Sequence, residues 1–435
     1  MRILTISAQK PDSTGSGVYL ASLARALSDE GHDIGVIAGV SAADACSLEC
    51  ASYVRLVRFD SEELPFHVFG MSDEMPYPSS RYRDMTTDQL SRFEAAFRGA
   101  LDEAMTEFKP DVVLCHHLYL VTAIVREQTD LPVFAVCHST DIRQMRSHGL
   151  ERERIVSAVR SLDGVLALHE EQAGEIVACY GVDPRKVTVV GTGFDDAVFS
   201  RGEKPACEGM ASDDALRAGN ADGVREPVNL VYVGKISRKK GVGSLLDAIA
   251  LLRDAGVAVH CICVGGHGES EGYDELAARA ATLGGAVELA GRLPQEELVC
   301  AYRAADVFVL PSFYEGLPLV VVEALACGCR VAVSDLPGVR PWLAARVPDA
   351  PVAFIDLPRM IGVDEPDPAD LPAFAERVKA GILQAASLPP CTLDLSALSW
   401  RGLARRVGEL LEGATGSGSH PNASGGEPGR RLPIC

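Results

Sequence analysis

Pro311-Ser312-Phe313-Tyr314-Glu315-Gly316-Leu317-Pro318-Leu319-Val320-Val321-Val322-Glu323-Ala324-Leu325-Ala326-Cys327-Gly328 carries most of the information in this chain. It directly follows a strand-like apolar run, Val307–Leu310. Gly316 and Pro318 suit a loop whose backbone N–H groups open a helix, and helix N-termini attract anions. Glu315 and Glu323 flank the loop with seven residues between them. That spacing is a little over two helical turns, so both carboxylates can face one cleft if the helix starts early. Carboxylates accept hydrogen bonds from neighbouring hydroxyls, so the pair suits a polyol such as a sugar and a ribose.

A second segment, Gly234-Lys235-Ile236-Ser237-Arg238-Lys239-Lys240-Gly241, follows the strand-like run Asn229–Val233. Four cations fall within six residues of a chain whose formal charge is −19. Full solvent exposure is one reading. Placement at a strand's carboxyl end, before a helix, favours contact with phosphate instead.

Strand-like and helix-like segments alternate outward from these two motifs. Arg2–Ser7, Ile34–Ala38, Asp111–Cys115, Val133–Cys137, Gly164–Leu168 and Val187–Val190 are short, Val-rich runs in the first half, with helical spacing between most of them. Such alternation implies a parallel sheet covered on both faces. Residues 200–226 lack any apolar period and read as a flexible linker or insertion. The alternation restarts at 227 and runs to about 397, and a last helix occupies 398–412. Residues 413–435 are rich in Gly, Ser and Pro and read as a disordered tail. The expected fold is therefore α/β, with two Rossmann-like doubly wound domains, 1–199 and 227–397, facing a cleft. Each sheet offers a crevice at the carboxyl ends of its strands.

Composition bounds the partners. Lys and Arg number 41 against 60 Asp and Glu, which argues against general nucleic-acid or anionic-lipid binding. No apolar run reaches the ~20 residues of a membrane span. Met1–Ser7 is too quickly polar for a signal peptide, and thirteen scattered Cys suggest reduced thiols, so a cytoplasmic protein is expected. Cys261 and Cys263, and Cys327 and Cys329, lie in or beside strand-like runs as small buried hydrophobes. No His and Cys set has metal-ligand spacing, and neither a metal nor a cofactor is expected.

Together the two motifs resemble those of the family 4 retaining glycosyltransferases of the GT-B fold, over about residues 1–412. The resemblance implies that 1–199 binds acceptor and 227–397 binds the nucleotide-sugar donor, with the helix at 398–412 packing back on the first domain. It assigns Lys235 and Lys240 to the donor diphosphate, although the family more often has Arg at the first position. Arg292 and Leu293 match the base position and Glu323 the ribose. Glu315 and the backbone of Gly316, Leu317, Pro318 and Leu319 match the contacts to the transferred sugar. Gly15 and Gly17, in Thr14-Gly15-Ser16-Gly17, match a loop that approaches donor phosphate and acceptor, though a plain turn fits them equally well. His138, in His138-Ser139-Thr140-Asp141, resembles the family's cleft histidine. Asp141, Arg143, Gln144 and His117 are assigned to the acceptor side.

The implied activity is that of a hexosyltransferase. A sugar passes from a UDP- or GDP-sugar to a small-molecule or glycan acceptor, with retention and without metal. Lys240, Lys235, His138 and Glu315 are the implied catalytic groups. Two alternatives stand beside it. One is a natural-product transferase of the kind that S-glycosylates a lincosamide precursor. The other is a nucleotide-sugar epimerase, phosphorylase or binding module.

Overall fold

The structure is a computed structural model that describes residues 1–46, 48–72, 75–202, 227–267, 272–315, 318–362 and 364–416. Of the linker expected at 200–226, residues 203–226 lie outside the described residues, as do 417–435 of the tail expected at 413–435, and Gly316 and Leu317.

The first half contains β1 (Arg2–Ser7), α1 (Gly15–Asp29), β2 (Asp33–Ser41) and β3 (Tyr53–Phe59), then a short ribbon, β4 (Phe69–Gly70) with β5 (Ser80–Arg81). After it come α2 (Thr87–Glu107), β6 (Val112–His116), α3 (Leu120–Gln128), β7 (Val133–Val136), α4 (Thr140–Ser147), α5 (Arg152–Arg160), β8 (Gly164–Ala167), α6 (Glu170–Tyr180) and β9 (Val187–Val189). The strands form one seven-stranded sheet in the order β3-β2-β1-β6-β7-β8-β9, every neighbouring pair parallel. Every residue of β6, β7 and β8 is buried, as strands covered on both faces must be. Thr86 and Gln89 make a capping box at the start of α2, which lays Phe93, Phe97, Ala100, Leu101 and Ala104 on the sheet at helical spacing.

The second half contains β10 (Val228–Val233), α7 (Val242–Asp254), β11 (Val259–Val264), α8 (Tyr273–Thr282), β12 (Val287–Gly291), α9 (Gln295–Ala304) and β13 (Val307–Leu310). It continues with α10 (Leu319–Ala326), β14 (Arg330–Ser334), α11 (Val339–Arg346), β15 (Val352–Ile355), α12 (Leu371–Ser387) and α13 (Trp400–Gly416). Its six parallel strands are ordered β12-β11-β10-β13-β14-β15. In both sheets the strand order reverses direction at one place, between β1 and β6 and between β10 and β13. Ligand crevices of open parallel sheets form at such reversals, beyond the carboxyl ends of the strands.

The chain crosses between the halves twice, and the two crossings pair. Phe194 N–H donates to Leu398 O and Trp400 N–H donates to Phe194 O. Phe194 and Phe199 pack in the core of the second half, so the crossing falls ahead of residue 199. Helix α13 returns to α1, burying Leu403, Ala404, Val407 and Leu411 completely in the first half's core. Each of its two leucines and the valine contributes on the order of 2 kcal/mol of apolar burial. The helix runs on through Gly416, so residues 413–416 of the expected tail are helical. Turns 403, 407 and 411 keep one apolar face docked, which carries the helix past the composition change. Among the described residues no helix is long and apolar enough to cross a membrane.

Candidate active site

In the second half, the loops after β10 and β13 meet at the reversal. Gly241 has φ +70, and a Cβ there would lie 1.9 Å from Pro311 O. Only glycine lets the two loops approach this closely, and the approach sets Lys240 beside the Pro311–Glu315 segment. Lys240 Nζ lies 2.8 Å from a Glu315 carboxylate oxygen and donates to Tyr314 O at 3.5 Å. The other cations of the cluster diverge. Arg238 pairs with Glu275, and Lys239 with Asp364 at 2.9 Å. Lys235 is exposed at the carboxyl end of β10, its carbonyl taken by the Tyr232 hydroxyl at 2.8 Å. The four cations therefore do not converge on one point, since Arg238 and Lys239 turn to carboxylates of their own.

Helix α10 starts at Leu319, with Pro318 as its N-cap. Glu315 therefore precedes the helix rather than sharing a face with Glu323. The two carboxylates take different partners, Lys240 for Glu315 and the Tyr302 hydroxyl, donating at 3.1 Å, for Glu323. Burial lifts the Glu323 carboxyl to about 7, against the smaller opposing pull of the Tyr302 hydrogen bond. Arg292 is exposed on the turn after β12, and Leu293 is half-buried beside it. Gly266 lies beside that turn, with Arg292 Nε 2.5 Å from where a Cβ would be.

The Glu323 environment predicts a pH-dependent stability. An unfolded Glu ionises near 4.5, whereas native Glu323 holds its proton to about 7. The native state therefore loses stability as pH rises across that window, and the penalty is complete above it. Glu323→Gln removes the charge and keeps an oxygen for Tyr302. In urea titrations the variant is expected to exceed wild type at pH 8 by on the order of 2 kcal/mol, the gap closing by pH 4.5. A gap of equal size at both pH values counts against this account.

In the first half, the loops after β1, β6 and β7 converge. Thr14 caps α1 through Gly17 N–H at 3.1 Å, so Gly15 and Gly17 form the helix's first turn. Gly17 sits against the Lys10 carbonyl, 2.7 Å from where a Cβ would be. His116 bridges Thr5 Oγ1 and His138, both at 3.1 Å, and its ring stacks on that of His138. Tyr19 meets His138 edge-on at 5.1 Å. Burial drives the His116 imidazole down to about 3, and burial with two neighbouring imidazoles drives His138 well below the usual range. Both rings are neutral at pH 7. His138 can exchange hydrogen bonds with a sugar hydroxyl but supplies no cation.

The residues assigned to the acceptor separate in their roles. Asp141 is fully buried and accepts from Leu118 N–H at 2.9 Å, His138 N–H at 3.2 Å and Ile142 N–H at 3.2 Å. These bonds build the loop that carries His138. Gln144 is buried and engaged by Met71 O at 2.9 Å and His148 Nε2 at 2.6 Å, tying α4 to the segment after β4. Arg143 is exposed on α4. His117 is buried, with its Nε2 3.3 Å from Gln9 Oε1. Gln9 and Tyr314 escaped sequence reading, because a lone Gln and a lone Tyr carry no spacing signal. The phenol of Tyr314 is raised by burial, and the charges it feels, Glu175, Arg143 and Arg146, belong to the first half. Among the described residues no three His, Cys, Asp or Glu side chains gather as a metal-holding set.

Two parallel-sheet domains, each with polar side chains gathered at its strand-order reversal, have the architecture of the GT-B fold. Residues 13–198 match the family model described as Glycosyltransferase Family 4, and residues 227–355 match that described as Glycosyl transferases group 1. The chain belongs to glycosyltransferase family 4 and is a transferase. It is 29% identical over 352 residues to a D-inositol 3-phosphate glycosyltransferase of Kribbella flavida, covering 75% of this chain and 76% of that one. With the protein of the same name from Thermomonospora curvata it shares 33% identity over 226 residues, 50% of this chain and 49% of the other. Among solved structures, sucrose-phosphate synthase from Thermosynechococcus elongatus superposes with a TM-score of 0.61 at 19% identity, covering 96% of this chain and 100% of that one. The catalytic domain of starch synthase IV from Arabidopsis thaliana, bound to ADP and acarbose, gives 0.62 at 14% identity, covering 96% and 99%. These likenesses show a shared fold.

Proposed function

We propose that this chain transfers a sugar from a nucleoside diphosphate donor to a small polyol acceptor, with retention of configuration and without a metal. The observation that carries the reading is the Lys240–Glu315 pair at the second sheet's reversal, with Glu323 in the helix that follows. In this reading the second domain binds donor and the first binds acceptor. Lys240 and Lys235 neutralise the diphosphate, and Glu323 takes the ribose hydroxyls. Glu315 and the start of α10 hold the transferred sugar, and the turn at Arg292 and Leu293 lies at the base. The names of the relatives favour a cyclitol as acceptor. The eleven described cysteines are free thiols, which suits a cytoplasmic site of action.

As the bond between the anomeric carbon and the phosphate oxygen breaks, negative charge grows on the leaving diphosphate. Lys240 swings from Glu315 to that charge, where a preorganised cation acts most strongly. The acceptor hydroxyl attacks from the same face and its proton passes to the departing phosphate oxygen. Closure of the cleft aligns the two and excludes water.

Thermal-shift screening against UDP, GDP, ADP and dTDP, then mass spectrometry with the matching sugar donors, tests the reading. Stabilisation by one diphosphate and a product heavier by one sugar are expected. Absence of stabilisation by all four overturns it. Turnover is expected to survive dialysis against EDTA. Loss of activity restored by Mn²⁺ or Mg²⁺ overturns metal independence.

A further inference from the structure

Tyr302 is among the largest fully buried side chains of the protein, yet it ends in a hydroxyl. It lies in the last turn of α9, and its ring is held on two sides. Phe199 of the crossing meets it edge-on at 6.0 Å, and Phe308 of β13 lies at 5.9 Å, tilted by 58°. Its carbonyl accepts from the Cys329 thiol at 3.0 Å, just ahead of β14. The next residue, Arg303, donates through Nε to Ser200 O at 2.9 Å, which fastens this end of α9 to the crossing. A phenylalanine would fill the same space and make the same ring contacts. The hydroxyl is therefore not explained by packing. Taking it out of water costs free energy unless a partner offsets the loss, and its partner is Glu323 Oε2 at 3.1 Å.

Glu323 is the one ionisable residue of α10, whose sequence is otherwise Leu319-Val320-Val321-Val322 and Ala324-Leu325-Ala326. A free glutamate side chain samples many rotamers, and ordering it on binding a ligand costs entropy. Among the described residues Tyr302 alone hydrogen-bonds its carboxylate, through Oε2. Holding that oxygen fixes the plane of the carboxyl and hence the direction of Oε1. A carboxylate has about four lone-pair sites, so one bond from Tyr302 leaves room on both oxygens for the two hydroxyls of a cis-diol. An acceptor held in its binding geometry by a rigid, buried neighbour loses less freedom when the diol arrives.

We propose that Tyr302 is a positioning residue for the donor: its hydroxyl sets the Glu323 carboxyl toward the ribose diol, and the pair makes the site select ribonucleoside over deoxyribonucleoside diphosphates. The proposal rests on the donor reading above and adds the residue through which Glu323 recognises the sugar of the nucleotide. A site built to bond a hydroxyl discriminates strongly against a ligand that lacks it, because the buried acceptor is then left unpaired. Tyr302 touches no ligand itself and acts only through Glu323.

Calorimetry on the full chain tests this at pH 8.5, above the ionisation range of Glu323. The ligands are whichever of UDP, GDP and ADP binds most tightly and its 2′,3′-dideoxy counterpart. Wild type is expected to prefer the ribonucleotide by about 10²-fold, the worth of two hydrogen bonds to a charged acceptor. Tyr302→Phe keeps the ring and is expected to cut that preference about tenfold by weakening the ribonucleotide alone. Affinity for the dideoxy ligand stays within about twofold. Glu323→Gln is expected to lose most of the preference, and adding Tyr302→Phe to it changes the preference by no more than about twofold, because the two act as one unit. Equal losses for both ligands in Tyr302→Phe, as a packing role predicts, overturn the positioning role. So does an unchanged preference, or a further loss of preference in the double variant. These three results leave the donor reading standing. Binding of dTDP but of none of the three ribonucleotides overturns the ribose selection and keeps the donor reading, whereas binding of no diphosphate overturns both.

Discussion

Lys240→Ala is expected to lower kcat by about 10²–10³-fold, the usual cost of removing one preorganised group that stabilises developing charge. Its local fold should persist. Lys240 and Glu315 keep side-chain exposures of 30% and 17%, and a pair this accessible contributes only about 1 kcal/mol to stability. The kinetic cost is larger because Lys240 changes partner. In the free protein it is paired with Glu315, and during transfer it faces a leaving group whose charge increases as the bond breaks. The alanine variant loses that stabilisation and also leaves Glu315 without its cation beside an anionic donor. Lys240→Arg retains the charge and is expected to recover part of the rate, less than fully because the planar fork does not reproduce a compact ammonium. Steady-state kinetics at saturating donor, with melting curves of each variant, measure this. Wild-type kcat in Lys240→Ala removes Lys240 from leaving-group stabilisation.

The second domain's site was legible because its determinants are close in sequence. Strand, loop and helix follow one another from Val307 to Ala326, and the local order forces Glu315 and the helix start to the strand's carboxyl end. The charge cluster was only half legible. Arg238 and Lys239 find partners 37 and 125 positions away, and no local pattern announces such pairings. The early helix start that would put both carboxylates on one face is not met. Pro318 sits at the N-cap with ψ 106, an extended geometry that keeps Glu315 off the helix. Elements with mixed polarity were missed altogether. β3 reads Tyr53-Val54-Arg55-Leu56-Val57-Arg58-Phe59, with Arg55 paired to Glu103 and Arg58 bonded to Ala42 O. Its edge position lets charged residues replace the apolar run that marks the buried strands. The first domain's site depends on contacts between loops that follow three strands far apart in the chain, so its residue types were visible but their division of labour was not. Asp141 shows this most clearly, since a carboxyl three residues after His138, in the first turn of α4, reads naturally as a ligand group.

Asp141→Ala is expected to destabilise the protein by about 3 kcal/mol and to abolish most activity by one cause. The side chain is fully buried, and its two oxygens accept from three backbone N–H groups and from the Cys137 thiol at 3.2 Å. Its removal leaves the Leu118 and His138 amides without their acceptor in a buried position, each costing about 1–3 kcal/mol. Those two amides belong to different loops, one after β6 and one after β7, so Asp141 is what fixes His117 and His138 relative to each other. Asp141→Ala and Asp141→Asn together separate the structural role from a direct ligand role. Asn presents one carbonyl oxygen where the carboxyl presents two, and its NH₂ turns a donor toward a donor. If Asp141 acts by building the loop, Ala accelerates hydrogen exchange at Leu118 and His138, which both donate to Oδ2, while Asn, whose carbonyl oxygen can take that place, loses less stability than Ala. If Asp141 instead contacts acceptor, Ala retains wild-type exchange at those amides and raises only the acceptor KM. Urea unfolding with amide exchange at these two positions distinguishes the outcomes.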